Sequence, residues 1–121
     1  GVWDRGLTLL KKGMKLNPYH PTWFHLALYI YYYHRGMYES AFSEALKFNF
    51  PELFWDPLMR AAAFGQMGKK EEATVAVDDL LKLEPNFINR GRSMINRYVK
   101  VDDLIDGIID GLRKAGLADL E

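Results

Sequence analysis

The chain reads as an all-α stack of helical hairpins, and three observations carry that prediction. Trp23, Leu26, Gly36, Glu39 and Ala41 recur 32 residues later as Trp55, Leu58, Gly68, Glu71 and Ala73, with aromatic Tyr32 matched by Phe64. The dipeptides Asn17-Pro18, Phe50-Pro51 and Glu84-Pro85 follow one another at intervals of 33 and 34 residues, and Gly36 and Gly68 fall midway between them. Each glycine closes an amphipathic run. A period of this size marks a supersecondary unit too small to bury its own apolar face, so successive units must stack.

The breaks define the elements. A residue preceding proline disfavours the α region, and glycine closes a helix in the left-handed conformation without a Cβ penalty. The unit is therefore helix, glycine turn, helix, proline turn. The first unit spans 21–50, with helices predicted at 21–34 and 38–49; the second spans 52–84, with helices at 56–67 and 70–83. Asp56-Pro57 suits an N-cap followed by proline at the first helical position; a proline kink in a helix begun at Pro51 is the other option. Residues 3–16 read as half a repeat, a lone second helix in which Gly6 stands where Ala41 and Ala73 stand. Those alanines come five residues after each helix-ending glycine, where two helices must cross closely. Leu28, Tyr32, Tyr38, Phe42, Phe64, Val77 and Leu80 are expected to fill the space between successive pairs.

Residues 86–117 leave the period and are predicted to form two capping helices, at 88–99 and 102–115, with Asp102 as N-cap and Gly116 just past the end. The first carries Arg90, Arg92, Arg97 and Lys100 without an acid; the second carries Asp102, Asp103, Asp106 and Asp110 before its first base. Opposite charges favour docking of one on the other. Leu104, Ile105, Ile108, Ile109 and Leu112 form an apolar stripe able to seal the last repeat.

Composition narrows the function classes. At 121 residues, 49% hydrophobic and 14% aromatic, the chain suits one folded domain rather than a disordered segment. Its formal net charge is zero, which removes the long-range pull expected of a nucleic-acid or anionic-membrane binder. The absence of cysteine excludes disulfides and thiolate chemistry and accords with a cytoplasmic setting. The longest apolar stretch, Trp23 to Tyr33, is about half the roughly 20 residues of a membrane span. The first residues lack the basic and apolar segments of a signal peptide, and the start without methionine suggests the C-terminal part of a larger protein.

The glycine, alanine and proline pattern resembles the tetratricopeptide repeat. Leu28, Tyr32, Gly36, Tyr38 and Ala41 carry the match in the first unit, and Ala61, Phe64, Gly68, Ala73 and Pro85 in the second. Tyr29 at the small position met by Ala61, and Lys70 where Tyr38 stood, depart from it. The resemblance covers about residues 3–85 and implies a right-handed helical-hairpin solenoid, closed here by the C-terminal capping helix pair. The strings Leu83-Glu84-Pro85-Asn86-Phe87, Tyr98-Val99-Lys100 and Gly111-Leu112-Arg113-Lys114-Ala115-Gly116-Leu117 resemble the C-terminus of certain bacterial signalling proteins. These include class III adenylate/guanylate cyclases whose catalytic domain precedes such repeats. Leu16-Asn17-Pro18-Tyr19-His20-Pro21-Thr22-Trp23 is similar to the same group. No cyclase metal- or nucleotide-binding residue carries over, since that domain is not in this chain.

Catalytic, cofactor and metal sites find no support in the residues. Ser40, Ser43 and Ser93 lack a nucleophile elbow, and Gly65-Gln66-Met67-Gly68-Lys69 lacks the spacing of a phosphate-binding loop. His20, His25 and His34 are five and nine apart, which places no two side by side on a helix. Asp102, Asp106 and Asp110 share a face, but the loop of a dedicated calcium site is missing. The basic stretch from Arg90 to Lys100 includes Tyr98, yet the acids that follow at once argue against a nucleic-acid footprint. The Tyr-rich helix lacks the lysine-rich face of a membrane-surface binder.

What remains is a scaffold for protein association. The resemblance implies that the first helix of each pair lines a concave groove, placing Trp23, Leu26, Ala27, Ile30, Tyr33 and His34 in it, with Trp55, Leu58, Met59, Ala62, Gly65 and Gln66 from the second repeat. Arg90 and Arg97 would face the same way. Such a groove suits an apolar or amphipathic segment with an acidic end, anchored by the tryptophans. The lysine and asparagine that a subset of the family uses to clamp a C-terminal carboxylate are replaced at the equivalent places by Leu26, Ile30, Leu58 and Ala62. Two kinds of occupant fit: a separate peptide, or another part of the parent chain or a second copy in a homodimer.

Overall fold

The computed structural model describes residues 23–118 and 120, with side chains from Phe24 onward; the half repeat expected at 3–16 lies outside the described residues. Those residues form six α-helices and no strand: α1 (Trp23–His34), α2 (Tyr38–Phe48), α3 (Trp55–Met67), α4 (Lys70–Leu83), α5 (Phe87–Asn96) and α6 (Asp102–Lys114). The first four fall within the spans that the proline and glycine breaks delimit.

The two glycine turns are built alike. Gly36 and Gly68 have φ of 76° and 73°, and each donates its N–H back three residues, to Tyr33 and Gly65 respectively. The next residue reaches back five: Met37 N–H donates to the Tyr32 carbonyl at 2.9 Å and Lys69 N–H to that of Phe64 at 3.0 Å. This is the Schellman closure, which a left-handed residue makes possible and which satisfies otherwise orphaned carbonyls. The turns fold α1 onto α2 and α3 onto α4. Ala41 and Ala73, at the start of α2 and α4, are fully buried, as the close crossing requires.

The hairpins stack through α2 and α3, where the Phe42 and Phe64 rings meet with centroids 4.7 Å apart. Between them the chain takes a left-handed step at Asn49, φ 41°, a conformation asparagine tolerates better than most residues. The start of α3 differs from both options read from the sequence. Trp55 is the first helical residue and Phe54 the N-cap. Pro57 stands in the first turn, where its missing N–H is one of the four that have no intrahelical acceptor. Asp56 does not cap α3. Its carboxylate accepts the N–H of Phe50 at 2.7 Å and is paired with Arg60, so it braces the loop entering the helix.

The last two helices do not form a third hairpin of the same kind. The main packing partner of α6 is α3, with smaller contacts to α5 and α1. The apolar stripe on α6 is buried from Leu104 to Leu112 as predicted, but its destination is the α3 surface, not the face of its sequence neighbour. One expected charge pairing between the capping helices is made, Arg92 with Asp106. That contact is solvent-exposed, and such pairs contribute only about 0–1 kcal/mol. Apolar burial and the glycine seam described below decide the docking. α5 ends at Asn96, earlier than expected, and α6 starts at Asp102 with Val101 as N-cap, so Asp102 is the first helical residue and not the cap expected from the sequence.

Candidate interaction face

The inner face of α1 and α3 is where the sequence places a groove, and α6 lies on it. Gly65 of α3 and Gly111 of α6 make the approach possible. A Cβ built on Gly65 would overlap the Gly111 carbonyl oxygen and stand 2.9 Å from the Ala115 nitrogen. A Cβ on Gly111 would overlap the Tyr33 hydroxyl and stand 2.7 Å from the Ala62 carbonyl oxygen. Both glycines lie inside helices, where glycine is about 1 kcal/mol less favourable than alanine. Their presence is explained by backbone meeting backbone. Gly107, Gly111 and Ala115, four apart, form a small-residue row along α6.

Polar groups fix the register. The Tyr33 hydroxyl donates to the Gly107 carbonyl at 2.6 Å and accepts from Gln66 Nε2 at 3.0 Å. Gln66 Nε2 also donates to Asp110 Oδ2 at 3.1 Å, and Gln66 Oε1 accepts from Lys114 Nζ at 3.0 Å. Lys114 in turn pairs with Asp110. Residues of α1, α3 and α6 thus share one hydrogen-bonded chain. Burial holds the Tyr33 phenol well above its ordinary value, so it remains a neutral donor. Tyr29, stacked on Tyr33 at 5.5 Å, is raised for the same reason and donates to the Met59 carbonyl at 2.8 Å. The hydrogen bond from Lys114, then that from Gln66, lowers Asp110 below the usual carboxylate range.

The residues assigned to an open groove divide accordingly. Tyr33 and Gln66 meet α6 directly, and Ala62 presents its carbonyl to it. Ile30 and His34 line a recess of about 230 Å³ left between α1 and α6, along with Asp103, Leu104 and Lys114. Leu26, Leu58, Met59 and Ala62 are buried. Trp55 is fully buried as well, a core residue and not an exposed anchor: it stacks on Phe54 at 5.5 Å and takes the edge of Tyr98 at 5.7 Å. Trp23 opens α1; its side chain is outside the described ones. Arg90 and Arg97 are exposed. Arg97 lines a separate open recess between α5 and α6 with Arg92, Ser93 and Lys100. Among the described residues these side chains do not line an open groove: α6 packs on α3 and α1, and Tyr98 of the α5–α6 connection packs on Phe54 and Trp55.

Sequence reasoning missed Gly107, Gly111 and Ala115. The available signal was a pair of mid-helix glycines, four apart, in a segment with no turn. His25, weighed as a ligand, places Nδ1 2.8 Å from Glu44 Oε2 between α1 and α2. No group of three His, Asp or Glu residues positioned for a metal occurs among the described residues, and His20 lies outside them. No helix among them is long and apolar enough to cross a membrane. Comparison with protein-family models, with curated proteins and with solved structures found no match.

Proposed function

We propose that this chain is a non-catalytic protein-interaction module of the tetratricopeptide kind, whose α1/α3 face is a receptor for an amphipathic helix. The observation that carries the reading is α6 itself: a helix is already seated there, backbone against backbone at Gly65 and Gly111, with its register set by Tyr33 and Gln66. The 32-residue recurrence and the two like Schellman turns support the repeat assignment. The tail strings support a regulatory or oligomerising role in a bacterial signalling protein such as an adenylate cyclase. The pairing of Arg92 with Asp106 places an acid against the basic helix, which favours a protein partner over nucleic acid.

The test uses the full chain carrying Gly111→Leu, which keeps its own α6 from seating, and a labelled synthetic peptide of residues 101–121. Saturable binding is expected, at least tenfold weaker with the unmodified chain, where α6 competes, and absent with Gly65→Leu. Equal binding to the Gly111→Leu and Gly65→Leu chains would overturn the reading.

A further inference from the structure

Resting on that reading, we infer that the helix which exchanges with α6 on the α1/α3 face is α6 of a second copy, giving a reciprocally exchanged homodimer. The fit is demanding. An incoming helix must bring a glycine opposite Gly65 and Ala62, a backbone carbonyl one turn earlier that no side chain shields from the Tyr33 hydroxyl, and an acid and a base one turn apart to bind Gln66. A second copy meets all of these by identity. Its formal net charge of zero also means that two copies do not repel each other.

Connectivity allows the exchange. α6 makes most of its contacts with α3 and few with α5, which precedes it. The five-residue connection 97–101 is exposed except at Val99; α6 leaves the face only if Tyr98 gives up its ring contacts with Phe54 and Trp55 and Leu120 leaves its seat beside Gly91 of α5, and both contacts are remade on the second copy. Exchange is mutual and closes a two-fold dimer with no unpaired face, a low-cost route to association. A short tether gives α6 an effective concentration on its own chain in the millimolar range. The exchanged form therefore gains at protein concentrations approaching that range, or where a larger assembly gathers copies together.

The experiment is complementation between two full chains. Gly65→Leu blocks the face and leaves α6 intact; Gly111→Leu blocks α6 and leaves the face intact. Each alone should run as a monomer of 14.0 kDa in light scattering, and an equimolar mixture should double that mass. Helical content of each variant, read by circular dichroism, checks that the hairpins remain folded. The unmodified chain supplies a second measurement free of that concern: labelled and unlabelled chains, mixed at about 1 mM, should give mixed dimers in native mass spectrometry. A monomer under both conditions overturns the proposal, as does a dimer formed equally by Gly111→Leu alone. Should the labelled peptide bind the Gly111→Leu chain while the two variants fail to pair, the face is a helix receptor and only the second copy is ruled out as its occupant. Absence of peptide binding removes both.

Discussion

Gly65 and Gly111 face each other across the α3–α6 seam at a separation that admits no side-chain carbon on either. Gly107, one turn before Gly111, is different: a Cβ there would meet only the Tyr33 ring, at an ordinary 3.7 Å. Alanine substitutions should therefore split in sign. Gly107→Ala should stabilise by about 0.4–1 kcal/mol through the lower entropy of the unfolded chain. Gly65→Ala and Gly111→Ala should destabilise by about 1–3 kcal/mol through overpacking, offset in part by better helix propensity. Urea midpoints of the three variants decide it; a common direction of shift would remove the seam argument.

Tyr33→Phe deletes the donor to Gly107 and the acceptor of Gln66 without changing the ring. The Gly107 carbonyl then loses its phenol partner but keeps Gln66 Nε2 within 3.4 Å, so the cost is about 0.5–1.5 kcal/mol. The same residue sets an alkaline limit. Its folded value is raised above the ordinary 10.0, so its contribution is complete below pH 10 and is lost as the pH rises further, because the unfolded chain ionises first. Tyr33→Phe should show a shallower alkaline loss of stability than the unmodified protein; Tyr29, raised likewise, keeps part of that loss in the variant. Equal slopes for the two proteins would count against the assignment.

Asp110 acts at the other end of the scale. Lys114 and Gln66 hold its carboxyl below the usual range, so its contribution is present above pH 3.8 and is lost as the pH falls through the lowered value. The group is exposed, which keeps the effect small and salt-sensitive. Denaturation at pH 6 and pH 3 should show a smaller acid loss for Asp110→Asn than for the unmodified chain, with the difference reduced in molar salt.

Trp55 is a packing residue, and its substitution should act on stability first. Trp55→Ala should destabilise by about 3–5 kcal/mol. Its Nε1–H is buried with no hydrogen-bond partner among the described residues. Trp55→Phe, which removes that unpaired donor and keeps an aromatic ring, should recover most of the loss. Thermal melts of the two variants test this; a Trp55→Ala chain with unchanged midpoint would return the residue to the surface.

Ala41→Leu and Ala73→Leu test the hairpin crossings. Both alanines are fully buried, and each substitution should destabilise by about 1–3 kcal/mol through overpacking. Denaturation curves should show similar shifts for the two, since the hairpins are built alike.

The repeat was legible because its signals are local. Gly36 and Gly68 need a positive φ, Ala41 and Ala73 need to be small, and both demands are visible in one copy and repeated in the next. Helix ends that depend on a side chain's choice of partner were less legible: Asp56 was available to cap α3 but accepts the Phe50 N–H instead. The face itself was harder still. Tyr33 and Gln66 were assigned to a groove only through the repeat resemblance, and an apolar stripe does not say which neighbour it will meet. Leu104 to Leu112 fit a seal on α5 or α4 as readily as a seat on α3. The choice rests on Gly65 and Gly111, whose meaning appears only when the two helices are placed together.

The hydrogen bond from Tyr33 to Gly107 spans 74 residues of sequence, whereas each hairpin closes over a three- or two-residue turn. Local hairpins form with little loop-closure entropy, and a contact of that span must wait until the chain between is ordered. α6 is therefore expected to dock after the two hairpins have formed, and to open in the native state as a separate cooperative unit. Amide protons in α6 should exchange with solvent through that partial opening, faster than those in α3 that depend on loss of the whole fold.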